Sequence, residues 1–375
     1  VPTLSSFFVI YTDGASLHEA WPAPPGATAH LSELSPPVLP ANGEELFGPH
    51  VPAFKAFRPK RAFLVGFRRE LKGRAESFFL EVRDVVLHLT QGLEGFALDV
   101  LRLVPFPLSA APDALPEDLL AEDLYSVAIA ERGEHGFMVE TIGLSRLDQR
   151  EITFEFKGRE LIEEATLLCG HLADWVLEHP RRVEPGQAMS FGFDRLVFDT
   201  PARATDAQLR SWQPALVRRL LPEALFPGVG VLRVSSPPAL PGDDQGVTDL
   251  TTALTRSMEQ RLLLEELDLT GDAPHSSATA ELRGEVTELR GITAVREESI
   301  SAHDSGWRVR QAGTSNGTGG ELMSLANLGA RLPGLVRYFA LPVGVKLAWD
   351  KDGQLDIDRS KVELDDDFDD ALPEE

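Results

Sequence analysis

The first apolar segments of the chain are short and β-rich. Ser5–Tyr11 reads Ser-Ser-Phe-Phe-Val-Ile-Tyr, and Ala62–Phe67 has the same character, so both predict strands. Glu76 to Leu93 changes period, with Phe79, Val82, Val86 and Leu89 at helical spacing and Gly92 as the stop. Phe96–Val104 returns to a strand pattern, with Phe96, Leu98 and Val100 on one face and Leu101 and Leu103 following. The proline-rich stretch from Trp21 to Pro59 predicts a long irregular connection.

A second set of elements follows. Asp123–Glu131 and Gly136–Leu144 pair as a hairpin across Gly133, and Arg150–Lys157 places Ile152, Phe154 and Phe156 on one face. The strongest helix pattern runs from Arg159 to His179. Its stripe is Leu161, Ala165, Leu168, Leu172, Trp175 and Val176, and Pro180 ends it. A strand at Ala188–Phe198, a helix at Asp206–Leu221 and a strand at Gly228–Val234 close this part. The order is mixed and lacks the regular alternation of a dinucleotide-binding sheet, so the expected class is α+β.

The expected organisation is a two-part N-terminal α+β region over 1–235, with sub-parts 1–113 and 120–235. A linker over 236–280 carries one amphipathic helix, Thr248 to Leu267, which could serve either neighbour. A small α+β domain spans 281–358. Within it Glu321–Arg331 predicts a short helix, Val345–Trp349 and Gln354–Ile357 predict strands, and Asp350-Lys351-Asp352-Gly353 predicts the turn between them. An acidic tail, expected to be disordered, occupies 359–375.

Charge narrows the partner class. With 36 basic and 59 acidic residues the chain carries −23, which repels phosphate backbones and anionic lipids. Neither nucleic acid nor membrane is an expected partner. A basic protein is, because complementary charge steers its encounter. The stretch Glu363 to Glu375 holds eight acids and no base, with Phe368 and Leu372 as its apolar positions. The first residues lack a basic n-region and a cleavage site, and Cys169 stands alone, so no intramolecular disulfide is available and the expected compartment is the cytoplasm.

The chemistry-bearing motifs point away from catalysis. Cys169 and His171 lie two apart on a helix and face different ways, which does not make a thiol–imidazole pair. His171 with Asp174 has ligand spacing, but with only His179 and Glu178 nearby it does not make a metal site. The glycine run Gly313–Gly320 lacks the Gly-Lys-Ser/Thr ending of a phosphate loop. Carboxylate pairs such as Asp148 with Glu151, or Glu163 with Glu164, are numerous in so acidic a chain and flank no nucleophile. No catalytic, cofactor or metal residue is therefore expected. The rival readings are a hydrolase using two dispersed carboxylates, and a scaffold or adaptor.

The most distinctive segment is Arg296-Glu297-Glu298-Ser299-Ile300-Ser301-Ala302-His303-Asp304-Ser305-Gly306-Trp307-Arg308-Val309. Asp304-Ser305-Gly306 predicts a turn in which the Asp side chain accepts from the backbone. Trp307 then opens a strand as its anchor, and Arg308 points to the opposite face. Burying the indole contributes roughly 4–6 kcal/mol at most. Arg296–Glu298, Asp304–Arg308, Pro333–Leu335 and Leu341–Gly344 together resemble a small bacterial domain. That domain was first catalogued as one of unknown function and was later grouped with the immunity proteins of polymorphic toxin systems. The resemblance covers about Gly291 to Ile357, and Gln311–Gly320 departs from the family pattern. More faintly, 123–198 resembles another bacterial domain of unknown function, through Thr141–Leu144 and Glu151-Ile152 before a long helix. The resemblance implies an immunity protein that binds a basic toxin or effector directly. The expected contact residues are Asp304, Trp307 and Arg308, with Asp365, Asp366, Asp367 and Phe368 of the tail.

Overall fold

The computed structural model describes residues 2–18, 23–35, 56–71, 75–115, 123–133, 136–178, 183–199, 231–240, 249–314 and 320–362. The expected helix at 206–221 and the acidic tail from 363 onward lie outside them. The class is α+β, built on three mixed or antiparallel sheets in chain order.

The first sheet comprises β1 (Thr3–Thr12), β2 (Thr28–Leu34), β3 (Arg61–Glu70), β4 (Gly95–Asp99) and β5 (Val104–Pro107), in the order β2-β3-β1-β4-β5. Helix α1 (Ala75–Thr90) covers one face. The run Phe7–Tyr11 does not alternate because β1 is buried on both sides. Phe8 and Ile10 join the cluster holding Phe78, Val82 and Val86 of α1, while Phe7, Val9 and Tyr11 join Leu64, Leu98 and Ile142. Phe7 opposes Gly66, where a Cβ would lie 2.4 Å from its ring, so that position has room only for glycine. The single strand expected over 96–104 is two strands. The Asp99 carboxylate accepts from the backbone N–H groups of Leu101 and Arg102 and turns the chain there.

The second sheet comprises β6 (Ser126–Arg132), β7 (Gly136–Ile142), β8 (Glu151–Lys157), β9 (Ala188–Phe191), β10 (Asp194–Asp199) and β11 (Val231–Ser235), ordered β6-β7-β8-β11-β10-β9. Helix α2 (Ile162–Glu178) packs Leu168, Leu172 and Val176 against Ile152, Phe154 and Phe198. The expected strand 188–198 is a hairpin, folded at Gly192. The two sheets meet at a buried ion pair, Arg146 to Asp99 at 3.2 Å, with the Arg146 guanidinium 4.7 Å from the Phe79 ring.

Helix α3 (Thr251–Leu267) serves two cores. Leu254 and the preceding Leu250 pack under the second sheet, and Leu263 packs under the third. Arg256 pairs with the buried Asp194 at 2.9 Å, and Arg261 with the buried Glu164 at 3.0 Å. From the second sheet Phe193 reaches into the third core and stacks on Phe339. The third sheet comprises β12 (Thr279–Arg283), β13 (Ile292–Arg296), β14 (Asp304–Gln311), β15 (Glu321–Ser324), β16 (Lys346–Trp349) and β17 (Leu355–Asp358), in the order β15-β12-β14-β13-β16-β17. Residues 321–324, expected as the start of a helix, pair with β12 instead. Ser324 then caps α4 (Leu325–Arg331) by accepting from the N–H of Asn327. Among the described residues no helix is long and apolar enough to cross a membrane.

Candidate partner-binding site

β13 and β14 are antiparallel, with Arg296 opposite Trp307, and 297–303 is the loop between them. Every residue from Glu297 to His303 is exposed. Ile300, at the middle, is 88% exposed. Beside the loop runs the Pro342–Val345 turn. The N–H of Gly344 donates to the carbonyl of Arg296, and Val343 is exposed there. One end of the third sheet thus presents Ile300 and Val343, with Glu298 exposed in the same loop and Glu297 lying 3.7 Å from Arg308 and 3.9 Å from Arg310.

The base of the loop is ordered by Asp304. Its Oδ1 accepts from the N–H of Gly306 and from Arg308 Nη1, and its Oδ2 from the N–H of Ile300 and from Arg308 Nη2. The Arg308 guanidinium at 2.6–2.9 Å holds the Asp304 carboxyl well below the usual carboxylate range, and the two N–H donors add to this. The pair is nearly buried, 8% and 11% exposed. Gly306 sits at φ +78, with its Cα against the backbone of Glu297, where a Cβ would lie 2.1 Å from the carbonyl oxygen. Any other residue would push the loop off its base.

Below this base Trp307 is fully buried, and its Nε1–H donates to the carbonyl of Phe339 at 3.3 Å. Arg296 Nη1 donates to the same carbonyl and to those of Asp272 and Leu341. Of the residues chosen from the sequence, Asp304, Trp307 and Arg308 are brought together, but as the support of the loop. Trp307 offers no surface, Asp304 is taken up by Arg308, and Arg308 also has Glu297 and Glu281 within 4 Å. Asp365, Asp366, Asp367 and Phe368 lie outside the described residues. The exposed Glu297, Glu298 and Ile300 were not among the chosen residues. A lone isoleucine between Ser299 and Ser301, in an otherwise polar loop, was the signal for it.

The other motifs have structural partners. Cys169 is buried, and burial, with the Glu151 charge adding, pushes its thiol up to about 12. His171 faces away, exposed. Among the described residues no group of three or more His, Cys, Asp or Glu is placed to hold a metal. Glu164 is bound by Ser257 and Arg261 of α3. Glu151 accepts from Thr141 Oγ1 and from the N–H groups of Gly143, Leu144 and Ser145, yet desolvation still raises its pKa. Nearby Glu140 is pushed up to about 8, by burial first and by Glu151 second, against an opposing effect of Arg132. Glu140 and Glu151 line neither the cavity between the first two sheets nor the open cleft beside Thr3, Arg69 and Glu81. Comparison with protein-family models, with curated proteins and with solved structures finds no match to this chain.

Proposed function

We propose that this chain is a non-catalytic binding protein, of the immunity kind, that neutralises a basic toxin or effector by docking on it. The observation that carries the reading is Ile300, 88% exposed on a loop locked at its base by the bidentate Asp304–Arg308 pair. An apolar side chain held out in a fixed loop loses little freedom on binding, and its burial contributes about 1.5–3 kcal/mol. The exposed Glu298 in the same loop, and the net charge of −23, attract a basic partner and repel an acidic one.

The test is affinity capture from the native host with the full chain and with Ile300→Asp, at two salt concentrations. Wild type should recover one basic protein in stoichiometric amount, less of it at high salt, and the variant should lose it. Equal recovery by both proteins rejects the loop as the contact. Several weakly held partners would favour an adaptor. A hydrolase is the second reading, favoured by the raised pKa of Glu140 beside Glu151. Loss of a hydrolytic activity in Glu140→Gln, with no partner captured, would put it first.

A further inference from the structure

The cations of the third sheet and its loops fall into two groups. Arg283, Arg290, Arg308, Arg310 and Arg331 each have a carboxylate within 4 Å. Among the described residues, Arg296, Arg359 and Lys361 do not, in a chain whose net charge is −23. Arg296 Nη1 donates to the carbonyls of Asp272, Phe339 and Leu341, and Arg359 Nη1 donates to that of Leu267. Both guanidiniums are thus fixed on the backbone around 267–272, by acceptors that carry no net charge. The Nε–H of Arg296 is shielded from solvent and makes no hydrogen bond. Asp272 acts on Arg296 only from beyond 4 Å, and the carboxylate of Asp358, which lies near Lys361, accepts from the N–H of Ser360.

The last described residue stands at the same place. Val362 packs on the third core, and the backbone of Lys361 and Val362 lies against Gly344, where a Cβ would be 2.3 Å from the Lys361 carbonyl oxygen. The N–H of Gly344 donates to the carbonyl of Arg296, and the adjoining Val343 is 43% exposed. The sequence that follows, 363–375, holds eight acids and no base, with Leu364, Phe368 and Leu372 at every fourth position. Phe368 is six residues beyond Val362, a reach of up to about 20 Å, so these acids and apolar groups all have access to the turn at 342–345.

We propose that 363–375 is an intramolecular occupant of this end of the third sheet, with its carboxylates on Arg296, Arg359 and Lys361 and Phe368 over Val343. Two properties of the place select this occupant. Its uncompensated charges are of the sign that the segment, with eight acids, complements. The segment is also joined to the place by the chain itself, so contacts too weak to hold a separate peptide suffice. Glu298, exposed in the neighbouring loop, repels the acids and directs the segment over the turn at 342–345 instead of over 297–303. A regulatory consequence rests on the partner-binding reading: a basic partner competes for the same acids, and its arrival uncovers the turn beside Ile300.

The experiment is paramagnetic broadening of methyl resonances in the full chain, with a nitroxide on Ala371→Cys. Cys169 is buried, so the label goes to the introduced thiol. At low salt Val343 should lose most of its methyl intensity, while Leu31, exposed on the first sheet, should keep it. At about 1 M salt, where charges are screened beyond about 3 Å, the Val343 signal should return. The labelled chain carrying Arg359→Gln and Lys361→Gln, both exposed positions, should also regain it. Full Val343 intensity at low salt, or equal broadening of Val343 and Leu31, would overturn the proposal. So would unchanged broadening in the double variant, or broadening that passes between chains when nitroxide-labelled and isotope-labelled proteins are mixed. All of this is read on the purified chain without a partner. The docked segment can therefore fail while capture with Ile300→Asp still supports the loop, and the reverse.

Discussion

Replacing Asp304 with alanine removes the acceptor for both Arg308 nitrogens and for the N–H groups of Ile300 and Gly306. Breaking a fully buried pair costs about 3–5 kcal/mol. Here the partners keep 8% and 11% exposure, and Arg308 retains Glu297 at 3.7 Å and Glu281 at 3.9 Å. The lower figure of about 2–3 kcal/mol is therefore expected for the pair. The N–H of Ile300 can turn to water, but Gly306 is buried and its orphaned donor adds about 1 kcal/mol, giving about 3–4 kcal/mol in all. Denaturant unfolding of Asp304→Ala, Arg308→Ala and the double variant measures the loss and the coupling, expected at about 1.5–3 kcal/mol. Hydrogen exchange of the amides from 297 to 306 should accelerate in Asp304→Ala. The pair also sets an acid limb. Because the folded carboxyl lies below its ordinary value of about 3.9, its stabilisation is complete above that pH and fades as the pH falls through the lower folded value. Asp304→Ala should flatten that limb. A loss under about 0.5 kcal/mol with unchanged exchange would mean that the pair does not hold the loop, and the preorganised contact would go with it.

Glu140→Gln should change the alkaline side instead. A carboxyl raised to about 8 contributes stability that is complete below the ordinary glutamate value and is lost as pH rises through about 8, so the variant should gain on wild type in Tm at pH 9 relative to pH 5. Trp307→Ala should cost about 3–5 kcal/mol by denaturant unfolding, since it empties a site that is wholly enclosed. Cys169 should resist iodoacetamide in the native protein at pH 8 and react on unfolding, with mass spectrometry reading the difference.

The elements legible in the sequence were those whose apolar positions answer to a single core. Helix 162–178 and strand 151–157 are of that kind, because each carries its large apolar residues on one face and the period shows. The misread elements have a cause outside periodicity. Leu322, Leu325 and Leu328 lie at helical spacing, yet Leu322 is exposed on an edge strand and only Leu325 and Leu328 share the core. Ser324 marked the true helix start. The bend after Asp99 came from a side chain accepting backbone bonds, which alternation of apolar residues does not encode. At the site, the Asp304 side chain accepting backbone N–H groups and the anchoring of Trp307 were readable, but the strand expected to open at Trp307 begins at Asp304. Whether Asp304 faces a partner or Arg308 was not, because that depends on the turn returning the Asp304 carboxylate to a residue four positions on. Helix α3 was expected to be amphipathic, but its apolar residues lie round the helix and divide between two sheets.

That division decides how the binding surface should be located. Removing the third sheet as a unit would uncover Leu263 of α3 and Phe193 of the second sheet, both now buried, and would take Phe339 away from the Phe193 ring. New apolar surface of that kind promotes nonspecific association and weakens whatever remains. Loss of a partner by such a truncation would therefore not distinguish a missing contact from a damaged frame. Ile300 makes the distinction, because an 88% exposed side chain changed to aspartate should leave stability within about 0.5 kcal/mol of wild type. If Ile300→Asp unfolds at the wild-type Tm and no longer binds, the contact is the loop itself. If Asp304→Ala loses binding in proportion to its faster exchange while Ile300→Asp does not, the partner reads the backbone shape that Asp304 imposes, and the isoleucine is incidental.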